Sequence, residues 1–242
     1  LVAVLGVGYV RLLLPRQSFP KIKGELQVAG LDAAVDIYRD QLGVPHIYAE
    51  NSHDLFFAQG YVHAQDRFWQ MDFWRHIGSA RLSEMFGEDQ LGTDRFLRTL
   101  GWARVAEKEL QTLDPGSKAI VQAYADGVNA YLAEHKGASL SMEYAILGLL
   151  TRGYEPESWT PLNTLTWAKV MAWDLGGNMD GEINQAILFG VMNQSQIEDL
   201  YPAYPEDEHP VIVPEFDLGE SASLPAAGAA HVLPRELLDL FT

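Results

Sequence analysis

The sequence predicts an α+β chain in which a short N-terminal β-hairpin precedes a mostly helical body. Three observations predict this class. Polar and apolar residues alternate before residue 49, which is typical of strands. Apolar residues then recur at spacings of three and four from residue 51 to about 77, which is the period of a helix. Further along, an Asp-Pro and a Thr-Pro pair mark the beginnings of other helices, because proline is favoured at the first helical position.

The hairpin is predicted from two apolar segments that flank a turn. Leu26–Tyr38 has strand-like spacing, Asp40–Gly43 is a turn signal, and Val44–Ala49 is a second short strand. Pro45 has no backbone N–H to donate. The second strand should therefore lie at an edge or begin at the proline.

A long helix follows, capped by Asn51 or Ser52 and extending to about Ile77. It is apolar on two faces, which predicts that it is buried. Its apolar rows are Phe57, Tyr61, Ala64, Phe68, Met71 and Trp74, and Val62, Trp69, Phe73 and Ile77. A third, polar stripe contains Gln59, His63, Arg67 and Gln70, with Asp66 and Asp72 nearby as acceptors. In a buried helix such groups must be paired, so we expect a hydrogen-bonded network.

The charged residues of this helix allow two interpretations. Asp66–Arg67 and Asp72–Arg75 are predicted to be structural ion pairs. His63 with Asp66 suits a metal ligand or a general base, but it suits a neutral core histidine better, because no second histidine follows at i+4.

Later helices are predicted from their ends. One begins at Asp114–Pro115, and another runs from Thr160–Pro161 to about Trp173. The Gly176–Gly177 step breaks the second one. A helix over Gly181–Met192 follows, and Ser195 with Glu198 forms a predicted capping box for a short final helix.

Composition excludes several function classes. The 242 residues carry a formal net charge of −16, so neither a nucleic-acid partner nor a polybasic membrane patch is expected. There are no cysteines, which excludes disulfides, thiolate catalysis and Cys-ligated zinc.

Three regions differ in composition. Residues 1–20 begin with an apolar run that resembles the remnant of an export signal or membrane anchor, although a buried strand or helix is the alternative. Residues 21–200 form the predicted folded domain. Residues 201–242 are rich in proline and small residues, which is typical of a tail or linker.

The segment Trp167–Leu188 is the best local candidate for a site. A helix break exposes backbone groups and lets side chains from both ends line a cavity. Asp174, Asp180 and Glu182 supply carboxylates, which hard cations such as calcium prefer. The alternative is that Asp180 and Glu182 simply favour a helix N-terminus electrostatically.

Several segments in order resemble the α-chain part of the penicillin acylase family, from about Gly24 to Met192. They are Arg39–Ile47 (RDQLGVPHI), Gly60–Arg67 (GYVHAQDR), Ala80–Glu84 (ARLSE) and Ala123–Tyr131 (AYADGVNAY). Members of that family commonly carry glycine where this chain has Ala80.

The resemblance implies an N-terminal-nucleophile hydrolase with a four-layer αββα architecture when complete. It implies a self-cleaved precursor in which residues 201–242 lead toward a spacer. A β chain then carries an N-terminal serine nucleophile, so no catalytic residue is expected here. It further implies a structural calcium ion ligated by Glu182, and an acyl pocket to which Leu175, Asn178 and Met179 contribute.

The leading hypothesis is therefore an α subunit of a periplasmic or exported amidohydrolase, with membrane anchoring through the N-terminus left open. Its substrate would be a linear N-acyl amide, such as a β-lactam side chain or an acyl-homoserine lactone. The alternatives are a non-enzymatic helical binding or scaffold protein that retains the fold, and a metallohydrolase built on His63 and Asp66.

Overall fold

The computed structural model describes residues 15–151, 154–205 and 208. The first 14 residues of the predicted export segment and most of the predicted tail lie outside these residues. The chain divides into two compact units, one ending at Leu175 and the other beginning at Gly176. Within the described residues, no helix combines the length and apolar character needed to cross a membrane.

The hairpin consists of β1 (Asp36–Arg39) and β2 (Pro45–Tyr48), which pair antiparallel with Ile37 opposite Ile47. Asp40 closes the turn, since its carboxylate accepts hydrogen bonds from the backbone N–H groups of Leu42 and Val44. The prediction that a strand begins at Pro45 is confirmed.

The first strand is shorter than the sequence predicted, because the chain turns before it reaches Asp36. Gly30 has a left-handed φ of 109°. The backbone N–H groups of Asp32 and Ala33 donate to the Asp54 carboxylate, so they do not form a strand ladder. The segment from residue 26 to 35 therefore packs as a loop.

Helix α1 (Ser52–Gly78) confirms the predicted long helix and its cap. The Asn51 side chain accepts a hydrogen bond from the backbone N–H of Asp54, which satisfies a donor at the helix N-terminus. The pattern did not predict a kink at Arg67, where φ is −143° and ψ is 18°.

Six more α-helices lie in the described residues of the first unit. Only the two with proline at the first position were predicted, and those two agree with the structure to within about two residues. The helices are α2 (Leu82–Phe86), α3 (Leu91–Leu100), α4 (Trp102–Thr112), α5 (Pro115–Glu134), α6 (Met142–Leu150) and α7 (Pro161–Leu175).

Helices α1 and α5 form the centre of the first unit and approach each other closely at two glycines. A Cβ atom on Gly60 would lie 2.1 Å from the Tyr124 carbonyl oxygen. One on Gly127 would lie 1.8 Å from the Phe57 carbonyl oxygen. No side chain fits at either position, so glycine permits this backbone contact.

The hydrophobic core surrounds this crossing. It contains Tyr61, Ala64, Phe68, Met71, Met85, Ala125, Val128, Tyr131, Leu140, Tyr144, Leu147 and Trp159. Four of the ten apolar α1 residues predicted to be buried belong to this core, and Phe57 and Val62 are buried outside it. The other four are only partly buried, namely Trp69, Phe73, Trp74 and Ile77.

The second unit contains α8 (Met179–Leu188) and α9 (Gln194–Leu200). Two boundaries differ from the prediction, since α8 begins before Gly181 and ends before Met192. The capping box also differs from the predicted one, which consisted of Ser195 and Glu198. Asn193 and Gln196 cap α9 reciprocally, each side chain accepting from the other's backbone N–H at 3.1 Å.

Candidate functional site

The predicted acyl-pocket residues lie where α7 ends and α8 begins. In the first unit, Leu175 is the last residue of α7 and its side chain is 77% exposed. In the second unit, Asn178 directly precedes α8, and Met179 at its start is 39% exposed. These side chains are thus available to a ligand or a partner chain. Their assignment to an acyl pocket stays a prediction.

Glu182, the predicted calcium ligand, lies in the first turn of α8. Its Oε1 accepts a hydrogen bond from Asn178 Nδ2, and its side chain is exposed. Its second oxygen makes no hydrogen bond within the described part of the chain. An anionic oxygen donor of this kind has the chemistry that calcium prefers, so the residue fits the predicted role.

A second group of possible ligands has a structural explanation. Ligand atoms of Asp32, His53 and Asp54 lie within 4.8 Å of one another. However, the fully buried Asp54 carboxylate already accepts hydrogen bonds from two backbone N–H groups and from Asn51 Nδ2. The Asp32 N–H bond leads the interactions that lower the Asp54 pKa to about 2. This carboxylate therefore fastens the loop before β1 to the beginning of α1.

The predicted Asp72–Arg75 pair is confirmed as a buried ion pair, with 2.7 Å between Asp72 Oδ1 and Arg75 Nε. The hydroxyls of Tyr144 and Tyr154 both donate to Asp72 Oδ2, each at 2.6 Å. Burial alone would raise the pKa of Asp72. Interactions with His76, Arg75 and Tyr144 outweigh it and hold that pKa at about 2.

This Asp72 network also anchors the chain that leads to α7. Arg75 donates to the backbone carbonyls of Glu157 and Ser158. On the surface, Arg81 forms ion pairs with Glu84 and Glu157. Because α7 carries the predicted pocket residue at its end, the network supports the element that positions it.

The predicted Asp66–Arg67 pair is wrong. Asp66 pairs instead with Arg39 of β1, through two hydrogen bonds of 2.8 and 2.9 Å. Arg39 also donates to Gln65. These bonds hold the hairpin against α1, a long-range contact for which the sequence contains no local signal.

The prediction of a buried network among Gln59, His63, Arg67 and Gln70 is also wrong. His63, Arg67 and Gln70 are exposed, and all four side chains line an open groove. His63 Nδ1 lies 2.9 Å from the Tyr124 hydroxyl, and burial lowers the His63 pKa. The buried polar residues of α1 are instead Asp54, Asp72, Arg75 and His76.

His63 lacks the partners that a metallohydrolase would require. Within the described residues it belongs to no group of three possible metal ligands. Asp66, its proposed partner, is engaged by Arg39. The interpretation of His63 as a metal ligand therefore receives no support from the geometry.

Comparison with known proteins identifies the family. The penicillin amidase family model matches residues 34–230. An acyl-homoserine lactone acylase, QuiP, from Pseudomonas aeruginosa is 35% identical over 193 residues, covering 80% of this chain and 22% of the relative. The penicillin acylase 2 proenzyme of Pseudomonas sp. is 38% identical over 148 residues, covering 61% of this chain and 18% of the relative.

A solved structure shares the fold. A thermostable penicillin G acylase from Alcaligenes faecalis aligns with a TM-score of 0.54 at 23% identity, covering 80% of this chain and 98% of that chain. This chain spans about a fifth of the length of the curated relatives above. The fold and the match over most of the sequence lead to one conclusion: the chain belongs to the penicillin amidase family.

Proposed function

We propose that this chain is the α-chain part of an amidohydrolase that cleaves linear N-acyl amides. The observation that carries the proposal is the family match over residues 34–230, together with relatives named as acyl-homoserine lactone and penicillin acylases. The name of one relative, a proenzyme, supports a processed precursor.

The reacting groups in this proposal belong to a β chain. An N-terminal serine there attacks the amide carbonyl, and its own α-amino group accepts the proton through a water molecule. An α-amino group titrates at about pH 8, so it is an effective base near neutrality. The acyl group passes to the serine oxygen and the amine leaves, after which water releases the acid.

Exposed apolar side chains support the presence of a partner chain. In the hairpin, Tyr38 and Tyr48 are each 62% exposed and Leu42 is 89% exposed. Leu175 at the end of α7 is similarly exposed. Clustered exposed hydrophobic side chains are typical of surfaces that another polypeptide covers.

The α chain contributes positioning and specificity in this proposal. Glu182 supplies an anionic oxygen to a calcium ion, which would neutralise charge and join the two chains. Leu175, Asn178 and Met179 contribute to the acyl pocket. The protein is exported, consistent with the apolar sequence of residues 1–14.

The central test is mass spectrometry of the product of the complete gene, purified without denaturant. We expect two chains, the second beginning with serine, and hydrolysis of a panel of acyl-homoserine lactones and penicillins. Replacing that serine with alanine should leave one uncleaved, inactive chain. An uncleaved chain with full amidase activity would reject the mechanism, and a stable product with no amidase activity would favour the scaffold alternative.

The calcium proposal has its own test. Glu182→Ala should lower the calcium content measured by atomic emission and reduce processing of the precursor, whereas Glu198→Ala, at an exposed site on α9, should change neither. Unchanged calcium content in Glu182→Ala would remove this residue from the metal site.

The pocket proposal is tested by acyl-chain preference. Met179→Ala removes most of a side chain, so the acyl length with the highest kcat/KM should increase. A length profile identical to that of the unsubstituted enzyme would place Met179 outside the pocket.

A further inference from the structure

The groove between α1, α5 and α7 has no role in the proposed mechanism. We name it the aromatic groove. It has a volume of about 510 Å³, within the range of roughly 300–1,000 Å³ that is typical of small-molecule sites. Its apolar surface is formed largely by Phe56, Met71, Trp74, Ile120, Trp159 and Trp167.

One permanent charge lies among these apolar side chains. Arg67 lines the aromatic groove, is exposed, and forms no ion pair within residues 15–151, 154–205 and 208. The neighbouring Asp66 does not neutralise it directly, because both carboxylate oxygens of Asp66 are bonded to Arg39. Within the described part of the chain, Arg67 therefore contributes to the groove lining a cation without a carboxylate partner.

The backbone is also unusual at this residue. Arg67 departs from helical geometry inside α1, although neither proline nor glycine occurs from Asp66 to Phe68. Sharp kinks in a helix usually have an identifiable local cause. Here the non-helical backbone geometry occurs at Arg67, the residue that supplies the charge.

The polar neighbours complete an amphiphilic lining. His63 bonds to the Tyr124 hydroxyl beside Arg67, and burial favours its neutral form. Gln59 and Gln70 add amide groups. A single guanidinium matches a carboxylate through two parallel hydrogen bonds, and the aromatic surface favours an apolar body on the same ligand.

We propose that the aromatic groove binds an amphiphilic carboxylate, such as a medium-chain fatty acid or an arylalkanoic acid. The carboxylate lies on the Arg67 guanidinium, and the apolar part packs against the tryptophans. This inference does not depend on the proposed amidase activity. The competing occupant is a segment of the remainder of the protein.

The test uses the product of the complete gene and isothermal titration with octanoate and phenylacetate. Octan-1-ol and 2-phenylethanol serve as neutral ligands of matched shape. The titrations are repeated after treatment with phenylmethylsulfonyl fluoride, which blocks a serine nucleophile and thereby separates this groove from the proposed acyl pocket. Amide hydrolysis is assayed in parallel, so that failure of the two proposals can be distinguished.

Arg67→Met retains an unbranched apolar side chain and removes the charge. We expect carboxylate affinity to fall by about tenfold or more, since a charge-assisted hydrogen bond is lost. Alcohol binding should be unchanged. Arg95→Met, at an exposed position on α3 outside the groove, should bind octanoate like the unsubstituted protein. Val121→Phe, which fills the groove, gives a second variant that should weaken binding of acids and alcohols alike.

Three results would overturn the inference. They are equal carboxylate affinity in Arg67→Met, absence of any octanoate binding, and a solved structure of the complete protein in which another segment fills the groove. Circular dichroism spectra matching those of the unsubstituted protein establish that each variant is folded.

Discussion

Asp72 is a fully buried carboxylate, and its neighbours determine whether it remains charged. Arg75 Nε and the hydroxyls of Tyr144 and Tyr154 occupy its two oxygens. The network joins α1 to α6 and to the segment before α7. At the scale of single residues, such a pair is costly to break, because the surviving partner is left buried with an uncompensated charge.

Asp72→Asn should therefore destabilise the protein by roughly 3–5 kcal/mol, because Arg75 would lose its counter-charge. Urea denaturation followed by circular dichroism measures the free energy of unfolding. Asp89→Asn, at an exposed position before α3, should change it by no more than about 0.5 kcal/mol. Equal stability of the two variants would contradict the role assigned to the network.

The same residue predicts an acid sensitivity. The folded pKa of Asp72 is about 2, below its ordinary value of 3.8. A lowered folded pKa contributes stability that is present above the ordinary value and is lost as the pH falls through the folded pKa. The free energy of unfolding should thus decline between about pH 4 and 2, and less steeply in Asp72→Asn.

Ala80 is a non-glycine residue with a left-handed φ of 55°. The left-handed region costs an L-residue about 1–2 kcal/mol, whereas glycine enters it freely but loses about 0.5–1 kcal/mol more chain entropy. Ala80→Gly should therefore raise the free energy of unfolding by about 0.5–1 kcal/mol. Ala133→Gly, at an exposed position in α5, should lower the free energy of unfolding. A loss of stability in both variants would show that the left-handed conformation of Ala80 is not strained.

At the scale of elements, the crossing of α1 and α5 depends on close backbone contact. A methyl group on Gly127 would overlap the Phe57 carbonyl oxygen, which belongs to backbone and cannot rotate away. The helices must separate to admit it, and that movement opens gaps among the core side chains around the crossing.

Gly127→Ala should therefore destabilise the protein by about 1–3 kcal/mol or more. Gly92→Ala is the matched control, because nothing lies within 4 Å of its added Cβ. In helix α3 that change should be neutral or stabilising, since alanine is the better helix former. Thermal unfolding of both variants gives the comparison, and a stable Gly127→Ala would show that the helices separate without cost.

At the scale of the whole molecule, the two-stranded sheet is the element that most needs a partner. An isolated two-stranded hairpin is marginally stable in water, and its open edges present unpaired backbone groups. The Arg39–Asp66 ion pair holds one side of the hairpin against α1. The side chains of Tyr38, Leu42 and Tyr48 remain exposed. This exposure agrees with the proposal that a β chain from the same precursor covers the surface.

If a β chain covers this surface, the complete protein should protect the amides of residues 36–48 from hydrogen exchange. The short 3₁₀ helix Glu88–Gln90 should exchange rapidly and serve as an internal reference. Mass spectrometry of peptic fragments measures both segments. If they exchange equally fast, no partner covers the hairpin in the assembled protein.

Local signals were sufficient for the beginnings of α1 and α5. Asn51 caps α1 through an atom three residues away, and Asp114 with Pro115 does the same for α5, so these features lie within one helical turn. Helices α2, α3, α4 and α6 have no comparable proline signal and were not predicted. The kink at Arg67 was not predicted either, because the apolar residues of α1 keep their spacing of three and four through it.

The sequence by itself determined the family resemblance, the hairpin turn, and which residues of α1 share a face. Only the tertiary structure decided which face is covered. It buries Asp72, Arg75 and His76 under α6 and the chain before α7, and leaves His63 and Arg67 beside an open groove. Helical periodicity fixes the angular position of a side chain on its own helix. Burial and ion pairing depend on residues distant in sequence, such as Arg39 for Asp66 and Tyr144 for Asp72.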